Sequence, residues 1–142
     1  MEQAVALLKL GVVWLALVTT VLSLFLSYTS RLDARSAARS AAYAAATVLG
    51  RDWNCQATGT DWTRAETAAA EASGHRLAGN RRLIVTDFGL SADTATCTVL
   101  AVLQVVPISA SRWWWTDPVH AMACAPTRAS GLPLPTACGQ RA

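Results

Sequence analysis

The sequence predicts an α+β protein: a long N-terminal transmembrane or stalk helix, then a small domain with a short helix and a three-stranded antiparallel sheet. Three observations carry this. From Leu10 to Ser30 the chain, LGVVWLALVTTVLSLFLSYTS, holds no charged residue. The alanine- and arginine-rich segment that follows contains no proline before its closing Gly50. Beyond residue 82 the texture turns to β-branched and apolar runs punctuated by turn formers. Composition agrees: 53% of the 142 residues are hydrophobic and 15% charged, against about 25% charged in an ordinary soluble domain. One segment in lipid explains both departures.

The first element is the anchor. A bilayer core needs about 20 apolar residues in a helix, and a lone span must satisfy its own backbone amides, which a helix alone does. Trp14 and Tyr28 lie near the two ends, where amphipathic aromatics sit at headgroups, and Lys9 can snorkel to the near surface. A cleaved signal peptide has an apolar core of about 7–15 residues and a small-residue cleavage site. Here the run is longer, and Ser27-Tyr28-Thr29-Ser30 is a poor site. Residues 1–30 therefore read as a tail and a transmembrane helix.

The helix continues through residues 31–50. Alanine and arginine are strong helix formers, and Gly50 is a suitable stop. One helix is expected from about Gln3 to Leu49, about 70 Å long at 1.5 Å per residue. Arg31, Arg35 and Arg39 recur every four residues and share a face, with Asp33 off that stripe. Ala34, Ala37, Ala38, Ala41, Ala42 and Ala45 supply a small-residue face that lets another backbone approach closely, and this face and that of the later alanine-rich helix are natural partners for a sheet or for each other.

Residues 51–142 read as the domain. RDWNCQATGTDW is a loop. Thr63-Arg64-Ala65-Glu66 fits a capping box, opening an alanine-rich helix to Ser73 with Gly74 just past its end. Leu83–Phe88 reads as a strand, 89–94 as a turn, and Thr96–Val106 as the strongest strand, ended by Pro107. Its unbroken apolar middle predicts burial on both faces. A third strand is expected from Val119 to Cys124, and an irregular Pro-rich tail follows. Three strands with a covering helix make a minimal stable sheet.

The four cysteines, Cys55, Cys97, Cys124 and Cys138, show no CxxC spacing, which disfavours zinc or thioredoxin-like chemistry. Their even number and wide spacing suit disulfides in an oxidising compartment. Of three connectivities, Cys55–Cys97 with Cys124–Cys138 is favoured, because the second pair closes a short tail loop. Side assignment meets a conflict. Arg31, Arg35, Arg39 and Arg51 all follow the span, which by the positive-inside rule puts the domain in the cytoplasm. The cysteines argue for the opposite side, and that side is expected here. The arginines then face anionic headgroups or an acidic neighbour.

No catalytic constellation stands out. His75 and His120 lack a nearby cysteine or carboxylate motif, and no HExxH, GxSxG or phosphate loop occurs. The expectation is a non-enzyme without cofactor or metal. A net charge of +3, scattered and with Arg81-Arg82 its only adjacent pair, does not make a nucleic-acid face. The run Trp113-Trp114-Trp115 is unusual. In a strand the middle ring opposes its neighbours, so the run is either a contact surface for a protein or a membrane interface, or a cluster folded over the sheet edge.

The order of an apolar span, the segment ARSAARSAAYAAA, a short helix and the strand TCTVLAVLQVVPI resembles the TadE/TadG-like pilus-assembly proteins of tight-adherence (Flp-type) systems, over about residues 3–108. The paired cysteines and the tryptophan run are not part of that pattern. The resemblance implies a minor pseudopilin-like component of a cell-envelope pilus or secretion machine, whose long helix packs beside pilin helices through its alanines. Its partners would be membrane lipid and other pilins or platform proteins, and Glu2 would be a subunit-pairing acid. The alternative is a single-pass envelope binding module that recognises a ligand through the tryptophan surface.

Overall fold

A computed structural model describes residues 2–79, 83–107, 118–127 and 138. The elements run α1 (Glu2–Leu49), α2 (Thr60–Ala78), β1 (Leu83–Asp93), β2 (Thr98–Pro107) and β3 (Val119–Pro126). The chain is α+β, as expected, with one sheet in the order β1-β2-β3 and both pairings antiparallel. It divides into two units, Met1–Ser30 and Arg31–Ala142. The alanine-arginine segment thus belongs to the domain and does not form a separate piece.

In the first unit the large apolar side chains of α1 are exposed, each from Val5 to Tyr28 by 41–72%. In the second unit the same helix changes role. Ala34, Ala37, Ala38, Ala41, Ala42 and Ala45 are fully buried, joined by Ala46 and Leu49. Gly50 ends the helix at φ +66°, where a side chain would be strained, and its amide donates to the Ala46 carbonyl at 3.1 Å.

β2 is central because it is paired on both edges, and its alternation decides the core. Val99, Ala101, Leu103 and Val105 are fully buried on one face. Leu100, Val102, Gln104 and Val106 on the other face are half-buried. On the inner face β3 contributes Ala121 and Ala125 opposite Leu103 and Val99, and β1 contributes Phe88 and Leu90 opposite Leu103 and Ala101. The core has two parts. Ala34, Ala37 and Ala38 pack with Leu77, Leu83, Leu103, Val105 and Ala121. Ala41, Ala42, Ala45 and Leu49 pack with Trp53, Trp62, Ala65, Val99 and Ala125.

Three local expectations are corrected. α2 begins at Thr60 behind Gly59, with no side-chain cap. Thr63 Oγ1 donates to the Thr60 carbonyl at 2.8 Å, and Glu66 Oε1 accepts from Trp62 Nε1 at 2.9 Å. Both groups of the expected capping box are therefore engaged elsewhere. α2 also passes through Gly74, because its buried stripe of Trp62, Ala65, Ala69, Ser73 and Leu77 needs one further turn. Burying Leu77 contributes more than the ~1 kcal/mol that an interior glycine costs. Finally, β1 runs on through residues 89–93, pairing Gly89 to Asp93 with Val102 to Thr98 after a register shift between Val85 and Asp87. The turn falls at 94–97, where the Ala95 amide donates to Asp93 Oδ1 at 2.9 Å and Cys97 takes φ +54°.

Candidate anchor and packing surfaces

The first surface is the apolar stretch of α1. A helix of residues 10–30 is about 31 Å long, which matches a hydrocarbon core of about 30 Å. Its serine and threonine hydroxyls are each satisfied within the helix. Thr19 Oγ1 donates to the Leu15 and Ala16 carbonyls at 2.9 Å, and Thr20 Oγ1 to Ala16 at 2.7 Å. Ser23, Ser27, Thr29 and Ser30 donate to the carbonyls of Thr20, Ser23, Leu26 and Leu26 at 2.8–3.0 Å. A hydroxyl bonded this way needs no water, and so its cost in an apolar medium falls. The helix is long and apolar enough to cross a membrane, and none of its most apolar window is buried.

The second surface, the alanine face, is already occupied. All six alanines face the chain's own sheet and α2, so they are not available to a helix from another chain. The small side chains bring α1 close to a sheet that is itself lined with Ala101, Ala121, Ala123 and Ala125. The close approach read from the sequence occurs inside the subunit.

Around this core the cysteines act as ties. Cys55, in the loop after α1, is bonded to Cys97, at the β1–β2 turn, with Cα atoms 5.0 Å apart. Cys124 in β3 is bonded to Cys138 with Cα atoms 6.0 Å apart. These are the expected pairs. Cys55 and Cys97 both have positive φ, 64° and 54°, a conformation that costs an ordinary residue about 1–2 kcal/mol. The tie helps to hold both turns there.

Beside the first disulfide, Trp53 and Trp62 stack with ring centroids 5.8 Å apart and planes 16° from parallel. Trp53 Nε1 donates to the Gln56 carbonyl at 3.0 Å. This buried pair was not legible in the sequence. The only signal was two tryptophans flanking a loop with a cysteine between them, which carries no pattern of its own.

Among the described residues, those with chemical potential are not brought together. His75 lies exposed on α2 and His120 exposed on β3 opposite Gln104. Among the described residues no group of three His, Cys, Asp or Glu side chains is placed to hold a metal, and no buried polar side-chain atom lacks a partner. Two shallow grooves among the described residues are each lined by a single helix: Gln3, Ala6, Leu7 and Leu10 on α1, and Thr63, Arg64, Thr67, Ala68 and Glu71 on α2. Trp113, Trp114 and Trp115 lie outside the described residues, as do Arg81 and Arg82. Glu2 opens α1, but its side chain lies outside the described set. No family model, characterised protein or solved structure matches this chain.

Proposed function

We propose that this chain is a single-pass, membrane-anchored structural subunit of the cell envelope, pseudopilin-like in plan. It would be a minor component of a tight-adherence pilus or a related secretion machine. The observation that carries the reading is α1 itself. One helix supplies an uncharged stretch with internally satisfied serine and threonine hydroxyls and then the central packing face of a small domain. The chain acts by assembly and not by catalysis. The two disulfides support an extracytoplasmic domain, since the cytosol keeps thiols reduced.

Because the domain's alanine face is internal, contacts with other pilin-like helices fall to the exposed apolar surface of residues 3–30. Association there is driven by packing and by hydrogen bonds between helices. The partners are pilins or inner-membrane platform proteins, within lipid, and no nucleic acid is involved. Two measurements test this together. The full chain, purified from membranes in mild detergent, should bring down a pilin or platform protein, and deletion should reduce piliation. Recovery of the chain alone, with piliation intact in the deletion strain, refutes the proposal.

A further inference from the structure

The uncharged stretch of α1 ends at Ser30, and Arg31, Arg35 and Arg39 follow at intervals of one helical turn. The alanines interleaved with them, Ala34, Ala37 and Ala38, are sealed into the core, whereas all three arginines are exposed. Among the described residues none of the three guanidiniums has an ion pair or hydrogen bond; the exposed pair Arg64–Asp61 lies on α2. Asp33, the nearest acid, sits off the stripe and is engaged in an interaction of its own. The helix therefore sets three positive charges in a row, and among the described residues none of them is paired.

We propose that Arg31, Arg35 and Arg39 form a juxtamembrane strip that binds the phosphates of anionic phospholipid in the leaflet where the span ends. The inference rests on the reading of residues 10–30 as a bilayer span. Position and chemistry both favour lipid over an acidic protein. The headgroup layer is about 5–7 Å deep on each side of the hydrocarbon, and four helical residues rise about 6 Å. Counted along α1 from Ser30, Arg31 falls within that layer, Arg35 at its outer edge and Arg39 one turn beyond it. Side chains on a helix lean toward its N-terminus, which here is toward the bilayer. The guanidinium fork matches a phosphate with two parallel hydrogen bonds. The strip also accounts for positive charge beside a span whose domain carries disulfides, without assigning that domain to the cytoplasm.

The test uses the full chain reconstituted in vesicles of phosphatidylcholine and phosphatidylglycerol, with each lipid spin-labelled in turn. Spectra of the motionally restricted lipid shell give the preference for one lipid over the other. Phosphatidylglycerol should be favoured by at least about fivefold, the factor one arginine contributes near an anionic surface. The triple variant R31Q/R35Q/R39Q should bring that preference close to one. Single variants should lower it in the order R31Q, R35Q, R39Q, and R64Q on α2 should leave it unchanged. A wild-type preference near one, as an acidic protein partner would predict, overturns the proposal; so does a preference that survives the triple substitution. A chain that does not float with the vesicles refutes the membrane reading itself, an outcome distinct from insertion without lipid preference.

Discussion

Ala34, Ala37, Ala38, Ala41, Ala42 and Ala45 have no exposed surface at all. At these positions size matters more than hydrophobicity. Each added methylene must displace Leu103, Val105 or another tightly packed neighbour, and overpacking a core costs about 1–3 kcal/mol. Ala38→Leu should therefore destabilise the domain by about that amount. Tyr43→Ala, on the exposed side of the same helix, should stay within about 0.5 kcal/mol. Urea unfolding of the detergent-solubilised full chain, followed by tryptophan near-ultraviolet signal, compares the two. Equal midpoints would mean that the alanine face is not packed as described. Trp53 and Trp62 illustrate the converse: two large rings that report on the core because they stack within it.

At the scale of elements, the sheet depends on β2. Its alternate residues fill the core and both of its edges are paired, so β1 and β3 take their register from it. This is why β1 absorbs a register shift and still pairs through Asp93. The disulfides then act between elements. Cys55–Cys97 closes a separation of 42 residues and Cys124–Cys138 one of 14. Loop-closure entropy predicts about 4 kcal/mol for the first and about 3 kcal/mol for the second. Cys55→Ser/Cys97→Ser should accordingly lower the urea midpoint more than Cys124→Ser/Cys138→Ser. The reverse order would place the main constraint in the tail loop. The first pair carries an added reason: with the bond gone, two residues at positive φ lose the tie across their turns.

For the molecule as a whole, α1 is one helix built for two surroundings. Up to Ser30 it exposes leucine, valine and aromatic side chains; from Arg31 it exposes charge and buries alanine. If the first part resides in lipid, charge placed at its middle is expensive, about 2.5–3.5 kcal/mol per arginine at a span centre. Leu17→Arg/Leu24→Arg should then shift the protein from the carbonate-resistant membrane pellet to the soluble fraction. The unfolding midpoint of the domain should change little, because both positions lie in the other unit. Retention of the doubly substituted chain in the pellet would remove the case for a span.

Some of this protein was legible in its residues alone. The uncharged stretch, the helix continuing to Gly50 and the presence of three strands follow from periodicity and propensity, because each is local; the short loop between Cys124 and Cys138 pointed to one of the three cysteine connectivities, and Cys55–Cys97 is the pair that remains. Tertiary structure decided the rest. Gly74 lies inside α2 because Leu77 has a core to enter, and residues 89–93 are strand and not turn because β2 offers them partners. Above all, among a sheet, the second helix and a neighbour's helix, it was the fold that assigned the alanine face to the chain's own sheet and α2. A small-residue stripe states how closely something can approach; only the folded chain determines what does, since the competing surfaces come from segments distant in sequence.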